Sequence, residues 1–485
     1  MTRHPAPWTA FALCVVATWL AACSNSPGGH AASPTTSPEA RTASVAPVVV
    51  AARTVCRLIA DNPDAAVAQL RGADGAPSIA VGGRAYWFFG DAVRNGPGGR
   101  QDVIPAAIAT SADVDGRDCV RLAFKTANGA AEPMFPRLEE TTAWPDGVLP
   151  LDDGSIAFYM VKVTRTSPFA WYVSGIGLGR MAAGTTDGTR EVETIWDERS
   201  GFGARVSGAR SPVRVGDDVI VFLHTDPGAN YAARAPIARM GEAAAYTYWT
   251  GTAWSPRAQD AQPLWTAPAT GFPADNGAQV SFDPASGQWM AVVAASMARV
   301  EVRTAPQLWG PWSAPTAWFD CRPLVEDVYP YCYSGELHPE LSHDPATAYL
   351  TFSSQKPYDV TLVELHLGVA IREWLREDGA ARYAAASPGD RYSDRGVAFY
   401  ASAAPAPGLA AVYERDGAYT LAAAGGATAA FYAYAAATDG VVRAAPVYRW
   451  RNGSAEALDT RTRDGWQRGE IAFYAVCQAA EERGC

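Results

Sequence analysis

Two aspartates, Asp74 and Asp91, are the residues of this chain whose type and spacing best suit chemistry. They flank a predicted β-hairpin with the loop Gly82-Gly83, because a Gly-Gly pair between two short apolar runs favours a two-residue turn. The register set by that loop places the two aspartates opposite each other. Like charges directly opposite destabilise a sheet, so a fold keeps such a pair more readily when the pair has a function. One acid and one base or nucleophile are the minimum apparatus for glycoside hydrolysis.

The alternative interpretation is that both aspartates are solvated turn residues, since Asp is common where strands end. A bulge or a splay near Gly75 and Pro77 would also change the gap between the two carboxyl groups. The hairpin therefore does not decide between a retaining enzyme, with carboxyl groups about 5 Å apart, and an inverting one, at about 6.5 to 9.5 Å.

The hairpin that carries these aspartates is the first of five, with turns centred near residues 83, 153, 217, 285 and 345. Even spacing of this kind is typical of a propeller with four-stranded blades, and a β-sandwich would not explain it. Helical periodicity is scarce between residues 48 and 369, which indicates an all-β fold. We predict a five-bladed β-propeller over residues 47–371, with the run 48–58 supplying a strand that closes the ring against the last blade.

Residues just before each hairpin are further candidates, because the first strand of each propeller blade lines the central channel. We expect substrate-binding roles for these polar residues: Asp146, close to Trp144, and Arg210, Asn276, Gln279, Glu336, His338 and Glu340. The last three alternate along the chain, so an extended strand would place all three on one face. They would position substrate or tune a neighbouring carboxylate. A metal site of Glu, His and Glu is a weaker alternative, and Arg210 has the alternative role of a structural ion-pair partner.

The length, charge and aromatic content of this chain exclude some classes of binding partner and favour others. Its 485 residues are ample for two domains. The formal charge of −10 argues against a nucleic-acid partner, which needs a basic face. The 16 Trp, 20 Tyr and 16 Phe residues suit a neutral polysaccharide or oligosaccharide better. We expect a monomer without a cofactor. The presence of a structural divalent ion in the channel is left open as an alternative.

The N-terminal segment indicates export. Residues 1–22 combine a weakly positive start with a short apolar run, as a signal peptide does, and that run is too short to span a bilayer. The sequence Leu20-Ala21-Ala22-Cys23 resembles the lipobox of bacterial lipoproteins, which implies a lipidated Cys23. Residues 23–46 are rich in Ser, Pro, Thr, Gly and Ala and predict a flexible tether. We therefore expect a lipid-anchored protein of the bacterial cell envelope; a plain secretory signal is the alternative.

Six further cysteines outside the signal and Cys23 favour disulfides, because their number is even and the chain is exported. Six cysteines allow 15 pairings, so the sequence leaves the connectivity open. We prefer the local set: Cys56 with Cys119, Cys321 with Cys332, and Cys477 with Cys485. A zinc site is disfavoured because no CxxC or HxxxH spacing occurs.

The run 72–91, GADGAPSIAVGGRAYWFFGD, resembles the propeller family catalogued as domain of unknown function 4185. Members of that family carry a Gly-x-Asp-Gly segment, a Gly-containing turn and an aromatic-Phe-Gly-Asp motif. The run 338–354, HPELSHDPATAYLTFSS, is similar to a later pattern of the same family. The resemblance covers about residues 48–369 and implies an endo-D-arabinanase that uses two blade-one aspartates, which match Asp74 and Asp91. Ala92 departs from the usual Thr.

The C-terminal part, residues 378–485, predicts a separate β repeat module. Its segments 396–401 and 470–475 match at an interval of 74 residues, with a similar one at 430–433. Three such units indicate a small, trefoil-like all-β module. The runs 446–453 and 465–475 resemble the family catalogued as domain of unknown function 5648, which implies a glycan-binding role; residues 457–460 depart from that family. Core packing of the Phe-Tyr pairs is the alternative, and an exposed Trp450 or Trp466 would suit glycan binding better.

Together these patterns predict an exported, membrane-anchored glycoside hydrolase that acts on a polysaccharide, of which an arabinan is one candidate, through a two-carboxylate mechanism. The alternative is a non-catalytic carbohydrate-binding surface lipoprotein, in which Asp74 and Asp91 only accept hydrogen bonds from sugar hydroxyls. A structural surface protein is a third class. It predicts a channel mouth without convergent acids or aromatic side chains.

Overall fold

Nearly all of the regular structure in the described part of this chain is β-sheet. The fold is taken from a computed structural model, which describes residues 47–96, 101–136, 141–167, 170–182, 184–225, 228–266, 277–283, 286–295, 299–324, 332–415, 417–422, 428–438, 442 and 444–476. One short α-helix lies within these ranges, α1 (Pro63–Val67), and the Asn62 side chain caps it by accepting a hydrogen bond from the Asp64 amide. In the same ranges no helix is long and apolar enough to cross a membrane.

Blade one contains the predicted Gly82-Gly83 hairpin. Both glycines have positive φ, +60° and +76°, as a primed two-residue turn requires. Val81 pairs with Arg84 and Ser78 with Trp87, which confirms the predicted register. The blade consists of β3 (Ser78–Val81), β4 (Arg84–Phe88), β7 (Ile108–Ser111) and β8 (Ala123–Phe124). A second, three-stranded sheet is formed by β2 (Leu70–Ala73), β5 (Asp91–Asn95) and β6 (Gln101–Pro105). A small hairpin is formed by β9 (Thr126–Ala127) and β10 (Ala130–Ala131).

Blades two to four are antiparallel sheets whose strands follow chain order, as hairpin after hairpin produces, except that the last strand of blade three pairs with the third strand of that blade. Blade two is formed by β11 (Thr141–Pro150), β12 (Ile156–Ser167), β13 (Ala170–Met181) and β14 (Gly188–Trp196). Blade three is formed by β15 (Val206–Val215), β16 (Asp218–Thr225), β17 (Ala229–Pro236), β18 (Thr247–Trp249), β19 (Trp254–Ser255) and β20 (Trp265–Thr266). Blade four is formed by β21 (Gln279–Asp283), β22 (Gln288–Ala295), β23 (Arg299–Ala305) and β24 (Thr316–Asp320).

Blade five is completed by the first strand of the described chain. Its own strands are β25 (Tyr333–Leu337), β26 (Thr347–Gln355) and the long β27 (Tyr358–Arg376), and β1 (Val48–Arg57) pairs antiparallel with the first half of β27. The approach is close, since a Cβ on Gly368 would lie 2.1 Å from the Val50 side chain. The prediction that the run 48–58 closes the ring against the last blade is confirmed.

The first strands of the five blades meet in succession: β3 contacts β11, β11 contacts β15, β15 contacts β21, and β21 contacts β25. Side chains close the ring between blades five and one, where the Trp87 and His338 rings stack with centroids 4.5 Å apart. The all-β fold and the five-bladed arrangement are therefore as predicted.

The C-terminal module has three equivalent units. In each unit one strand pairs with a short strand on one side and a returning strand on the other. The units are β27 with β28 (Ala381–Ala384) and β29 (Tyr392–Ala401); β30 (Ala410–Arg415) with β31 (Ala418–Thr420) and β32 (Ala429–Ala433); and β33 (Ala444–Asn452) with β34 (Ala455–Asp459) and β35 (Gln467–Val476). Three buried phenylalanines, one per unit, form a triangle with centroids 5.4 to 5.5 Å apart: Phe399, Phe431 and Phe473.

This triangle makes the phenylalanines of the repeated Phe-Tyr pairs the core of the module. Trp450 is buried too, at 4% exposure, with its indole N–H donating to the Asp459 carbonyl at 3.4 Å, so it does not meet the condition of exposure set for a glycan-binding tryptophan. Trp466 is partly exposed beneath the Arg463 guanidinium, 5.4 Å from its ring centroid.

Two of the three preferred disulfides are present, Cys56–Cys119 and Cys321–Cys332. The first joins β1 to the loop before β8, so the closing strand is tied covalently to blade one. The third preferred pair, Cys477 with Cys485, falls outside the described ranges, as do the signal segment 1–22, Cys23 and the tether.

Candidate active site

Asp74 and Asp91 face each other, as the hairpin register predicts. The β3–β4 ladder ends at Ser78, and the pairing resumes in a second sheet, where Ala73 of β2 lies opposite Ala92 of β5. Hydrogen bonds from Phe88 N to Pro77 O, at 3.0 Å, and from Asp74 N to Asp91 O, at 3.1 Å, carry the same register across the gap. The aspartates therefore stand where blade one splits into two sheets.

The backbone of one aspartate holds the side chain of the other. The Asp91 amide donates to Asp74 Oδ1 at 2.9 Å, and the Asp74 amide donates to the Asp91 carbonyl at 3.1 Å. Space for this is made by Gly90, where a Cβ would lie 2.6 Å from Asp74 Oδ1. The glycine of the Phe-Gly-Asp motif is thus required because the opposite carboxylate occupies the position of its missing side chain.

Aromatic side chains from two other blades contact the pair. Trp144 of β11 donates its indole N–H to Asp91 Oδ1 at 2.9 Å. Tyr333 of β25 donates its hydroxyl to Asp74 Oδ2 at 3.0 Å, and the Tyr358 hydroxyl donates to the Asp91 carbonyl at 2.8 Å. Trp144 and Tyr333 lie on channel-lining strands, so the acidic pair stands at one mouth of the ring.

The surroundings of Asp74 favour its protonated form. Burial and the neighbouring Asp91 carboxylate hold the pKa of Asp74 well above its ordinary value, although hydrogen bonds from the Asp91 amide and Tyr333, together with the adjacent Tyr358 hydroxyl, oppose the shift. Burial also raises the pKa of the Tyr358 hydroxyl, so that group stays a proton donor. A carboxyl that retains its proton near neutral pH can act as a general acid.

Further along the channel, Asp146, Arg210 and Glu336 form a buried ion triad. Arg210 Nε lies 2.8 Å from Asp146 Oδ1, and Arg210 Nη1 lies 2.7 Å from Glu336 Oε1. Asp146 Oδ2 also accepts the Ala209 amide at 2.8 Å. The three side chains come from β11, β15 and β25, and their residues are at most 9% exposed. The structure thus joins three predicted residues, and Arg210 has the ion-pair role.

Burial raises the pKa of Glu336 to about 7, against the opposing attraction of Arg210 and with a smaller contribution from the Asp146 charge. The triad follows Trp144 and Tyr333 along their strands, which places it below the acidic pair in the channel. Its carboxylates already accept hydrogen bonds from the guanidinium and a backbone amide, so the triad is a buried ion-pair network.

The prediction that Glu336, His338 and Glu340 share one strand face is wrong. Strand β25 ends at Leu337, and residues Pro339–Leu341 form a 3-10 turn that begins after His338. Proline fixes its own φ near the helical value, and the run leaves the extended conformation there. Glu336 consequently joins the triad, while His338 and Glu340 turn toward blade one.

His338 and Glu340 close the ring through Ser78. His338 is fully buried; its Nδ1 lies 2.6 Å from Ser78 Oγ and its Nε2 lies 2.8 Å from Thr351 Oγ1. Ser78 also donates to the Glu340 carboxylate. Burial raises the pKa of Glu340, but hydrogen bonding and charge from His338, together with the Ser78 hydroxyl, outweigh it and hold that pKa below its ordinary value. Glu340 is therefore ionised at neutral pH.

The Gln279 side chain makes two hydrogen bonds to the backbone of Leu337. Its Nε2 donates to the Leu337 carbonyl at 2.7 Å, and its Oε1 accepts the Leu337 amide, so it joins blade four to blade five. Asn276 falls outside the described ranges. Among the residues with described positions, no three His, Cys, Asp or Glu side chains are placed to hold a metal ion.

Sequence reasoning overlooked Tyr333, Tyr358 and Gln355. Tyr333 precedes the fifth hairpin, as Glu336 does, so the criterion that selected Glu336 could have selected it. Tyr358 and Gln355 flank the turn between β26 and β27, and nothing in their local sequence indicates that this corner reaches blade one.

A family model described as a domain of unknown function, DUF4185, matches residues 60–364. The chain belongs to the DUF4185 family. The match contains the acidic pair, the triad and the closing contacts around Ser78, and it confirms the resemblance carried by the two motifs. The C-terminal module lies beyond it, and the resemblance of that module to family 5648 stays a prediction.

No curated protein matches this DUF4185 chain. Solved structures similar to it include a candidate hydrolase of Bacteroides ovatus, 10% identical over 61% of this chain and 86% of that one, with a TM-score of 0.48. An α-L-arabinofuranosidase of Podospora anserina in complex with cellotriose is 12% identical over 66% and 98%, with a TM-score of 0.41. An exo-β-1,3-galactanase of Phanerochaete chrysosporium is 11% identical over 84% and 89%, with a TM-score of 0.38.

Proposed function

We propose that this protein is a glycoside hydrolase whose reaction centre is the pair of Asp74 and Asp91. The observation that carries the proposal is their placement: two carboxylates face each other at the mouth of the channel, beside Trp144, Tyr333 and Tyr358. Two convergent carboxyl groups are what glycoside hydrolysis needs. Aromatic side chains with polar ends suit sugars, which present both apolar faces and hydroxyls.

The surroundings of the two aspartates differ, and this suggests separate roles. Asp74 is the general acid that protonates the leaving oxygen, because burial and the adjacent carboxylate raise its pKa. Asp91 is the base or nucleophile, with Trp144 donating to one of its oxygens. Asp74 gives its proton to the leaving glycosidic oxygen while the anomeric carbon gains a new bond to oxygen, either from a water molecule that Asp91 deprotonates or from the Asp91 carboxylate itself. In the second case water then hydrolyses the bond between the sugar and Asp91.

The substrate in this proposal is a neutral polysaccharide. The Asp91 carboxylate and the ionised Glu340 give this end of the channel a negative potential, which disfavours uronic acids and sulfated glycans. An arabinan is the first polymer to test, because the resemblance of the blade-one motif implies one. Polysaccharides of the same chain length that carry carboxylates serve as the comparison.

The test is the release of reducing ends from neutral and acidic polysaccharides by the wild type and by Asp74→Asn and Asp91→Asn. We expect each substitution to lower turnover of the preferred polymer by at least about 100-fold, since general acid–base groups contribute that much. Asp152→Asn is the matched control, because its exposed carboxylate pairs with Arg214 beyond the end of β11. Binding without turnover would favour a carbohydrate-binding protein, and turnover that survives both substitutions would reject the proposal.

We also propose that the protein is exported and held at the bacterial cell envelope by a lipid on Cys23. The support is the sequence Leu20-Ala21-Ala22-Cys23 followed by a Ser- and Pro-rich tether. Labelling of producing cells with a fatty-acid analogue should mark the wild type and leave Cys23→Ser unmarked. Equal labelling of both would reject the anchor.

A further inference from the structure

One corner of blade five reaches across the channel mouth to the acidic pair of blade one. The hydroxyl of Tyr333, the first residue of β25, donates to Asp74 Oδ2 at 3.0 Å. The hydroxyl of Tyr358, the first residue of β27, donates to the Asp91 carbonyl at 2.8 Å. Both aspartates are thus contacted from a blade that is far from them in sequence.

A third residue of the same corner orients one of these hydroxyls. Gln355, the last residue of β26, pairs with Tyr358 across the turn, and its Nε2 donates to the Tyr333 oxygen at 3.1 Å. A phenol has a single proton to donate. Since the Tyr333 oxygen accepts the amide hydrogen, its own proton points toward Asp74.

We propose that Tyr333, oriented by Gln355, is a positioning residue that fixes the Asp74 carboxyl beside Asp91 and stabilises the carboxylate left after proton transfer. The claim concerns the same reaction centre and rests on the proposed function. Tyr333 touches the acid, and the aspartates remain the groups that act on substrate. Asp74 held at Oδ1 by the Asp91 amide and at Oδ2 by Tyr333 has one orientation available to it.

The proposal predicts the direction of a pH effect. The groups that face Asp74 are the Asp91 carboxylate and amide and the hydroxyls of Tyr333 and Tyr358. Removing the Tyr333 donor takes away one hydrogen bond that favours the ionised form of Asp74. The acid then holds its proton to higher pH, and the proton-free form is less stable.

The first experiment measures kcat/KM against pH for the wild type and Tyr333→Phe on a neutral polysaccharide that the wild type cleaves. We expect the basic limb of the profile to move up by about one pH unit and the maximum to fall about tenfold, as the loss of one hydrogen bond to a charged group implies. Gln355→Ala should shift the limb in the same direction by less. Tyr172→Phe, an exposed tyrosine of β13, should leave it in place.

A uniform loss of activity at every pH in Tyr333→Phe, with no movement of the basic limb, would show a merely structural role and overturn the proposal. So would a limb that moves downward. Gln355 is exposed, so its variant keeps the test available if the Tyr333 hydroxyl proves essential for folding.

The second experiment needs no activity. The pH dependence of the free energy of unfolding is compared between wild type and Tyr333→Phe, and again between Asp74→Asn and the double variant. If Tyr333 acts through Asp74, the first pair differs in pH dependence and the second pair does not. The same difference in both pairs would overturn the proposal. If the wild type cleaves no polymer, the proposed function fails while this comparison still decides what Tyr333 does.

Discussion

At the scale of single residues, hydrogen-bond donors or a guanidinium accompany both groups of neighbouring carboxyl side chains described for the channel. Asp74 and Asp91 receive hydrogen bonds from a backbone amide, a phenol and an indole. Asp146 and Glu336 share one buried arginine. Asp74 and Asp91 remain partly exposed, as groups that act on a substrate must be. Asp146, Arg210 and Glu336 are buried and paired with one another, which is typical of a structural ion-pair network.

Replacing Arg210 by Met should destabilise the protein strongly. The substitution leaves two buried carboxylates without their cation, which typically costs about 3 to 5 kcal/mol. Arg214→Met, on the same strand, is the matched control: Arg214 pairs with an Asp152 side chain that is 80% exposed, and little loss is expected there. Urea unfolding measures both, and equal losses would contradict a special role for the triad.

At the scale of elements, the site depends on where strands stop. The ladder of β3 and β4 ends at Ser78, and β25 ends at Leu337. The first break frees Asp74 to accept a hydrogen bond from the strand opposite. The second break turns His338 and Glu340 onto Ser78, so the residues that close the ring are also those that end the strands. Regular pairing through either break would separate these contacts.

At the scale of the whole molecule, strand β27 belongs to both halves. Its first part pairs with β1 in blade five and its second part with β29 in the module. One apolar core spans the junction, with Val50 of β1, Tyr400 of β29 and Val476 of β35 among its buried members. The module is therefore packed against the propeller edge rather than joined by a linker.

The whole molecule should lose stability as the pH rises from about 4 to about 8. Burial raises the pKa of Glu336 to about 7 and that of Asp359 to about 6, and it raises that of Asp74. At pH values between the unfolded and the folded pKa of these groups, the folded state binds more protons than the unfolded state. Their contribution to the free energy of unfolding is therefore complete below this pH range and is lost as the pH rises through it.

Denaturant unfolding at about pH 5 and about pH 8 should give a free energy of unfolding lower at the higher pH by on the order of a few kcal/mol. Glu336→Gln should reduce the difference, and the exposed Glu242→Gln should not. Glu340 and Glu364, whose pKa values lie below the ordinary one, act in the opposite direction only in more acidic solution. A free energy of unfolding that rises between these two pH values would contradict the assignment.

Much of this architecture follows from local sequence. The Gly82-Gly83 loop determines a register, that register sets Asp74 opposite Asp91, and evenly spaced turns imply five blades. These inferences succeed because backbone geometry and the alternation of side chains act over a few residues. The two described disulfides and the closing strand belong to the same class of local or pattern-based inference.

Only the tertiary structure decides which side chains from distant blades meet. Tyr333 and Asp74 are 259 residues apart, and Arg210 and Glu336 are 126 apart, yet each pair is in hydrogen-bond contact. No local pattern records such contacts, because they depend on the twist of each blade and on how the ring closes. The same reason explains why Glu340 leaves the expected strand face and why Trp450 is buried: the packing of neighbouring elements determines where a strand ends and which face it hides.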